Sequence, residues 1–289
     1  MNESETPKLL LAPLRGVTIR CFRETFAEAV REAGFAEAVT PFITANAGVE
    51  PLKDRELKGG PPEGIRVTPQ FIGKDPAALR HCLERVRSAG WETADLNCGC
   101  PFPMVRNKGR GSGLLRTPDV LRRMLDVGCG TMGPGRFSVK ARIGVDSPDE
   151  LLRLMPLLNA YPLRFLVVHA RTARQMYEGE CDLAALARVE SAAEMPVIRN
   201  GDIGLPSPEG ASAMVGRAFI RSLASREDIP DLLDRYVASS LDELKSERPV
   251  LGRMKELLSY WADLPGWRGR WKVAKMARSL QELRVWQRR

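Results

Sequence analysis

TADLNCGCPFPMVRNKGRGSGLL, Thr93 to Leu115, is the stretch on which the reading of this chain turns. TADLNCG (93–99) reads as a strand that runs into a tight turn fixed by Gly99 and Pro101. A basic, glycine-bearing loop, VRNKGRGSGLL, follows. Three kinds of chemistry compete for Cys98 and Cys100: a metal site, a disulfide or redox pair, and a single acid–base cysteine. Structural zinc usually takes C-x2-C hooks or cysteines combined with histidines. Here the spacing is C-x-C, and Cys82, Cys129 and His81 fall on predicted helices, so no metal is expected. A bridge between residues i and i+2 fits disulfide geometry poorly. The two thiols share a face of the strand, yet Cys98 lies deeper and reads as a small core residue. The turn brings Cys100 to the rim.

Outward from this strand, short apolar segments alternate with helical ones. LLLAPL (9–14), FAEAVTPFI (35–43), IRVTPQFIG (65–73), FSVKARIG (137–144), FLVVHAR (165–171), PVIRNGDI (196–203) and SAMVGRAFI (212–220) read as further strands. Helices are predicted over 19–34, 76–90, 117–128, 149–160 with an interruption at Pro156, and 182–193. Eight strands in a β-then-α rhythm predict an α/β fold, a (β/α)8 TIM barrel. A doubly wound sheet is the alternative, but it would gather its polar residues near one switch point. Here polar residues and glycines recur at the carboxyl ends of all but one of the strands, which favours closure. The connection from Ile203 to Ser212 is too short for an ordinary crossover and predicts an exposed barrel wall. From Ile229 the pattern is helical only, with Trp261, Trp267, Trp271 and Trp286 as bulk for a small core. The expected division is a barrel over 1–226 and a C-terminal helical domain over 227–289.

At 289 residues and 44% hydrophobic content the chain can bury a large core. No apolar run approaches membrane-spanning length, and MNESETPK lacks the apolar region of a secretory signal, so a cytoplasmic protein is expected. Six cysteines without a regular framework fit reduced thiols. The net charge of +8 favours a polyanionic partner. From Arg248 onward eleven Lys and Arg residues face only Glu256, Asp263 and Glu282, so the basic excess sits in the tail.

Two constellations beyond the cysteines carry chemistry. VRNKGRGSGLL lacks P-loop spacing and suits a basic lid over a phosphate-bearing substrate. NGDI and VGRAF follow the last two strands, where barrels often bind phosphate. Asn200, Gly201, Gly216 and Arg217 would form that site, for a flavin mononucleotide or a sugar phosphate. Lys140 lies in an apolar strand, where an unpaired ammonium is costly. An anionic flavin edge or Asp95 would compensate it. His169 is a donor to the same group, and Gln70 offers an amide to a pyrimidine edge. The plain alternatives are a surface lysine, a structural histidine and a simple turn at Gly216–Arg217.

APLRGVTIRCFR, TPQFIG, DLNCGCPFPMV, SVKARIG, VVHART with YEG, IRNGDI and VGRA together resemble the tRNA-dihydrouridine synthases, over Leu9 to about Leu223. NCGCP and GRMKELLSYW look most like the bacterial subgroup acting on uridine 16 of the tRNA D-loop. The resemblance implies a barrel holding FMN, reduced by NADPH, that reduces the C5=C6 bond of a uridine in tRNA, in a protein expected to be monomeric. It makes Cys100 the general acid. Pro13, Leu14, Arg15, Gln70, Lys140, His169, Asn200, Gly201, Asp202, Gly216 and Arg217 match cofactor contacts. Asn97 and Arg142 match positions that hold the target nucleotide, and Arg253 and Lys255 a basic tRNA-facing segment. Leu14 where Met is common, Pro41 where many members carry an acid, and Ala170 where Gly is usual depart from the pattern. A barrel enzyme acting on a free small molecule, or a tRNA-binding barrel without catalysis, are the rival functions.

Overall fold

The computed structural model describes residues 9–206 and 211–287. MNESETPK, half of the short link between Ile203 and Ser212 (residues 207–210), and Arg288–Arg289 lie outside them, and with them the expectation about a secretory signal. The strands are β1 (Leu9–Leu11), β2 (Glu37–Val39), β3 (Ile43–Thr44), β4 (Arg66–Thr68), β5 (Gln70–Ile72), β6 (Ala94–Cys98), β7 (Phe137–Gly144), β8 (Leu166–Thr172), β9 (Val197–Asn200) and β10 (Ala213–Val215). Every pairing is parallel, in the order β3-β5-β6-β7-β8-β9-β10-β1-β2-β4. The two ends of that ladder are not open edges. β2 and β3 are two pieces of one strand, parted around Pro41, and β4 and β5 are two pieces of another, parted at Pro69. Proline has no N–H to give the ladder. Because β2 pairs with β4 and β3 with β5, the sheet closes into the expected eight-stranded barrel.

Alternation along each strand sorts the residues into two layers. Leu9, Leu11, Ala38, Ala94, Leu96, Cys98, Val139, Ala141, Leu166 and Val168 pack outward against the helices. Leu10, Ala12, Val39, Phe165, Val167, Ile198 and Met214 form a separate inner cluster. Large aliphatic and aromatic side chains of this kind each stabilise the fold by about 1.5–3 kcal/mol when fully buried. The remaining inner positions are polar. Below the inner cluster, Arg164 grips Glu37 with both terminal nitrogens at 2.8 and 2.7 Å. Thr68 donates to the same carboxylate at 2.6 Å and bonds Thr93 at 2.6 Å.

Three local expectations need correction. The last strand stops at Val215 and does not run to 220; Gly216 leaves the extended region, and Arg217–Ser222 is helical. The first helix is broken at Phe26 into Arg20–Thr25 and Ala27–Glu32. That break lets Phe26 stack on Phe22 at 4.4 Å, with Tyr236 of the tail edge-on to both. Glu150–Asn159 runs straight through Pro156, which is exposed, so the carbonyl deprived of its helical donor is open to water.

The tail comprises helices Ile229–Leu244, Glu247–Ser259, Arg268–Ala274 and Leu280–Leu283. Its core is not its own: Tyr236, Met254, Trp261 and Trp267 belong to the same buried cluster as the barrel's outer layer. Two indoles tie it down, Trp261 Nε1 to the Ile220 carbonyl at 2.6 Å and Trp267 Nε1 to that of Ala224 at 3.0 Å. No described helix is long and apolar enough to cross a membrane.

Candidate active site

β6 ends at Cys98, and the next three residues turn over the barrel mouth. Asn97 makes the turn. Its Oδ1 accepts from the backbone N–H of Cys100 at 2.8 Å and of Gly99 at 3.1 Å. The loop after it folds back as a 3-10 segment, Gly111–Arg116, and Ser112 donates to the Cys100 carbonyl through N and Oγ at 3.2 and 2.9 Å. Gly111 has φ +57, and a Cβ there would come within 2.8 Å of the Cys100 Cβ, so only glycine closes this lid. The two cysteines part company. Cys98 is fully buried in the outer layer, and burial pushes its thiol far above its ordinary range. Cys100 retains 6% exposure at the mouth. Burial also raises its pKa, against the opposing pull of the Phe102 N–H and of Arg15, Arg142 and Lys140. The result is a protonated thiol surrounded by cations.

Lys140, Arg142, His169, Arg171 and Asn200 come from inward positions of β7, β8 and β9. Lys140 Nζ donates to Asn200 Oδ1 at 2.9 Å, and Asn200 Nδ2 is anchored on the Met214 carbonyl at 2.8 Å. Burial and then the neighbouring Arg142 push the Lys140 pKa down to about 8. Arg142 donates to the carbonyls of Gly99 and Thr172 at 3.0 and 2.9 Å, which spans the mouth from the cysteine turn to β8. His169 is held neutral by burial and by the cations around it. Arg171 donates toward its Nε2 at 3.4 Å, which leaves the proton on Nδ1.

Gly201 at φ +114 and Asp202 at φ +49 end β9 and turn the chain back. A Cβ on Gly201 would lie 2.6 Å from Cys181 Sγ and 2.8 Å from the His169 ring, so this glycine is fixed by packing. Asp202 pairs with Arg171 and Arg217, and those bonds hold its pKa below the ordinary carboxylate value. Gly216 sits against Ala12 and Leu14, and with them Pro13, at the end of β1. Arg15 lies on the other side, its guanidinium 5.6 Å over the Phe42 ring. It borders a cleft of about 450 Å³ between barrel and tail, lined also by Lys53, Arg55, Glu243 and Arg253.

The structure thus brings most of the expected residues to one rim, with exceptions. Gln70 is fully buried, and its amide is engaged at both ends, by Asp95 at 2.8 Å and Asn97 at 2.7 Å. Asn97 shapes the cysteine turn from within. Arg253 is bonded to Cys21, Ser240 and Glu243 at 3.1, 3.0 and 2.8 Å, inside the barrel–tail joint. Lys255 caps the Lys275 and Ala277 carbonyls at 2.9 and 2.6 Å. Exposed tail cations are found instead at Arg268, Lys272, Lys275 and Arg278. Sequence reasoning missed two residues. Arg171 lies two positions after His169 on the same inward face, a signal that was available. Tyr177, of the YEG triplet, is half-exposed over the mouth between the guanidinia of Arg142 and Arg217, at 5.3 and 5.6 Å.

The rim fits a phosphorylated aromatic cofactor. Lys140 has two ammonium hydrogens beyond the one given to Asn200, Arg142 donates to neutral backbone carbonyls, and Arg171 and Arg217 share the single carboxylate of Asp202. This excess of positive charge accommodates a phosphate and an electron-rich ring edge. Among the described residues no cluster of His, Cys, Asp and Glu could hold a metal.

A closed parallel barrel with a protonated thiol and a cationic rim at the carboxyl ends of its strands has the layout of a barrel enzyme. Its fold is similar to that of an old yellow enzyme homologue from Zymomonas mobilis, with a TM-score of 0.53 and 12% identity over 74% of this chain and 85% of the other. TcOYE gives a TM-score of 0.52 and 12% identity, covering 79% of this chain and 88% of that one. The sequence comparison is more specific: the dihydrouridine synthase family profile matches residues 10–256. The chain belongs to the dihydrouridine synthase family, flavin-dependent oxidoreductases that modify tRNA. A probable tRNA-dihydrouridine synthase of Rhodobacter capsulatus is 31% identical over 223 residues, 73% of this chain and 67% of its own length. tRNA-dihydrouridine synthase B of Vibrio cholerae is 32% identical over 221 residues, 72% and 66% respectively. The protein of that name from Vibrio parahaemolyticus is 28% identical over 273 residues, 89% and 82%.

Proposed function

We propose that this protein reduces the C5=C6 bond of a uridine in the tRNA D-loop, uridine 16, with FMN as cofactor, NADPH as reductant and Cys100 as general acid. It would act as a cytoplasmic monomer, with residues 1–226 as the catalytic barrel and 227–289 as the tRNA-binding part. The observation that carries the reading is Cys100 itself, buried enough to stay protonated yet turned to the mouth among Arg15, Lys140 and Arg142.

When bound, FMN reduced by NADPH supplies the hydride that adds to C6 of the uracil. Lys140 and the Nδ1–H of His169 would hold the flavin ring, and Arg217 and Gly216 its phosphate. Arg142 and Tyr177 would hold the target base over the mouth. Hydride addition at C6 leaves an enolate whose negative charge is shared between O4 and C5, so C5 needs a proton. Cys100 Sγ–H gives it: the C5–H bond forms as the S–H bond breaks. The thiolate left behind faces the surrounding cations, which stabilise it until a proton from solvent restores the thiol. A stacked uridine cannot reach the mouth, so the base is flipped out of the D-loop.

The test is direct. Protein purified with its cofactor should show oxidised-flavin absorbance, and tRNA from cells lacking the gene should lose one D-loop dihydrouridine that the purified protein restores. Loss at a different position would correct the assignment to uridine 16; no loss in tRNA at all would overturn the reading.

A further inference from the structure

The barrel interior beneath the cysteine turn contains a one-way chain of hydrogen bonds. It begins at Asp95, which is fully buried. Asp95 Oδ2 accepts from Ser138 Oγ at 2.7 Å, and Oδ1 accepts from Gln70 Nε2 at 2.8 Å. Gln70 Oε1 accepts from Asn97 Nδ2 at 2.7 Å. Asn97 Oδ1 then accepts the amides of Gly99 and Cys100. The backbone of Gln70 is fixed separately, its N–H donating to Thr40 Oγ1 at 3.0 Å.

A side-chain amide can face either way, because its two ends have similar shapes and opposite hydrogen-bonding roles. An ionised carboxylate cannot donate. Placed at the head of this chain, Asp95 forces the NH2 of Gln70 inward and its oxygen outward. That in turn forces the NH2 of Asn97 toward Gln70 and its oxygen toward the turn. Only this arrangement gives Gly99 and Cys100 an acceptor. The cost is a carboxylate in a dry barrel, where burial pushes its pKa up to about 6. Packing alone would be served better by an apolar residue at this position.

We propose that Asp95 is a positioning residue for the Cys100 thiol, acting through Gln70 and Asn97 to fix the turn that aims Sγ at the barrel mouth. The proposal rests on the role given to Cys100 above. It predicts that disturbing the chain harms proton delivery more than the delivery of electrons to the flavin.

The holoenzyme tests this by separating the two half-reactions. Asp95→Leu removes the acceptor, and reoxidation of reduced flavin by tRNA should slow about tenfold to a hundredfold. Reduction by NADPH should stay within about twofold, because no electron path crosses this chain. Asp95→Asn keeps an oxygen for Gln70 and should restore most of the rate. If Asp95→Leu does not fold, an isosteric exchange asks the same question. Gln70→Glu alone sets two carboxylates together and should be impaired. Adding Asp95→Asn to Gln70→Glu supplies an NH2 to the introduced carboxylate and keeps an acceptor for Ser138, while that carboxylate still accepts from Asn97. The double variant should therefore recover activity. A third measurement needs no flavin: iodoacetamide labelling of Cys100 in apoprotein should change in rate with Asp95→Leu and not with Asp95→Asn. Equal slowing of both half-reactions, unaltered Cys100 labelling in Asp95→Leu, or a double variant no better than Gln70→Glu would overturn the proposal. Labelling also tells the two failures apart, since it reports on the turn even if Cys100 is not the acid.

Discussion

The floor of the barrel and its mouth are built from the same kinds of side chain and balanced differently. On the floor, Arg164 and Glu37 meet two nitrogens to two oxygens, and Thr68 and Thr93 close the network. Each charge is matched, so nothing there invites a ligand. At the mouth, Arg171 and Arg217 share one carboxylate, Asp202, while Lys140 and Arg142 give their hydrogen bonds to the Asn200 amide and to backbone carbonyls beside a neutral His169. Buried charge that is matched supports the fold. Buried charge left unmatched holds a place for a group that arrives later.

The largest expected effect tests the mouth. Cys100→Ala should cut dihydrouridine formation by about 10²–10⁴-fold while NADPH still reduces the flavin, as read by stopped-flow absorbance. Undiminished product formation would take the acid role from Cys100. The floor comes next. Arg164→Leu strands a buried Glu37 and should cost about 3–5 kcal/mol in denaturant unfolding. Arg217→Ala at the mouth removes a partly exposed ion pair and should cost at most about 1 kcal/mol, with its main effect on flavin retention. A mouth variant as destabilising as the floor variant would erase the distinction.

A smaller effect concerns pH. Lys140 in the flavin-free protein titrates at about 8. An anionic partner binds the protonated form better and raises that value, so binding takes up a proton. FMN affinity should therefore be full below pH 8 and fall as pH rises through it, by about tenfold per unit at most. Fluorescence titration between about pH 6.5 and 9.5 would measure this, and Lys140→Met should flatten the curve. The smallest effect separates tail surface from tail interior. Replacing exposed Arg268 and Lys272 with Gln should lower the salt slope of tRNA binding by about 0.7–0.9 per lost phosphate contact, with thermal stability unchanged. Arg253→Gln, inside the joint, should instead lower stability; a change in salt slope with no loss of stability would put that residue at the RNA after all.

The barrel was legible because its strands are apolar, short and separated by capped helices, and because polar residues recur at their carboxyl ends. Lys140 and His169 were visible as costly residues inside apolar strands. The interiors of the strands were harder to read. Period-two alternation does not say which face looks into a barrel, so it could not show that the amides of Gln70 and Asn97, which the family resemblance matches to ligand contacts, are engaged by Asp95 and the cysteine turn. The tail misled for a related reason. Arg253 and Lys255 are two apart on one helix, and charge alone cannot reveal that a guanidinium has turned inward to Ser240 and Glu243. Gly216 ended the last strand early, because AFIRS is as compatible with a helix as with a strand.

The two indole clamps from Trp261 and Trp267 onto barrel carbonyls have one more outcome. They tie the appendage to the barrel wall at two points, Ile220 and Ala224. On the function proposed above, an RNA reaching from its outer helices to the thiol would meet two surfaces already joined, and the bending would fall to the RNA.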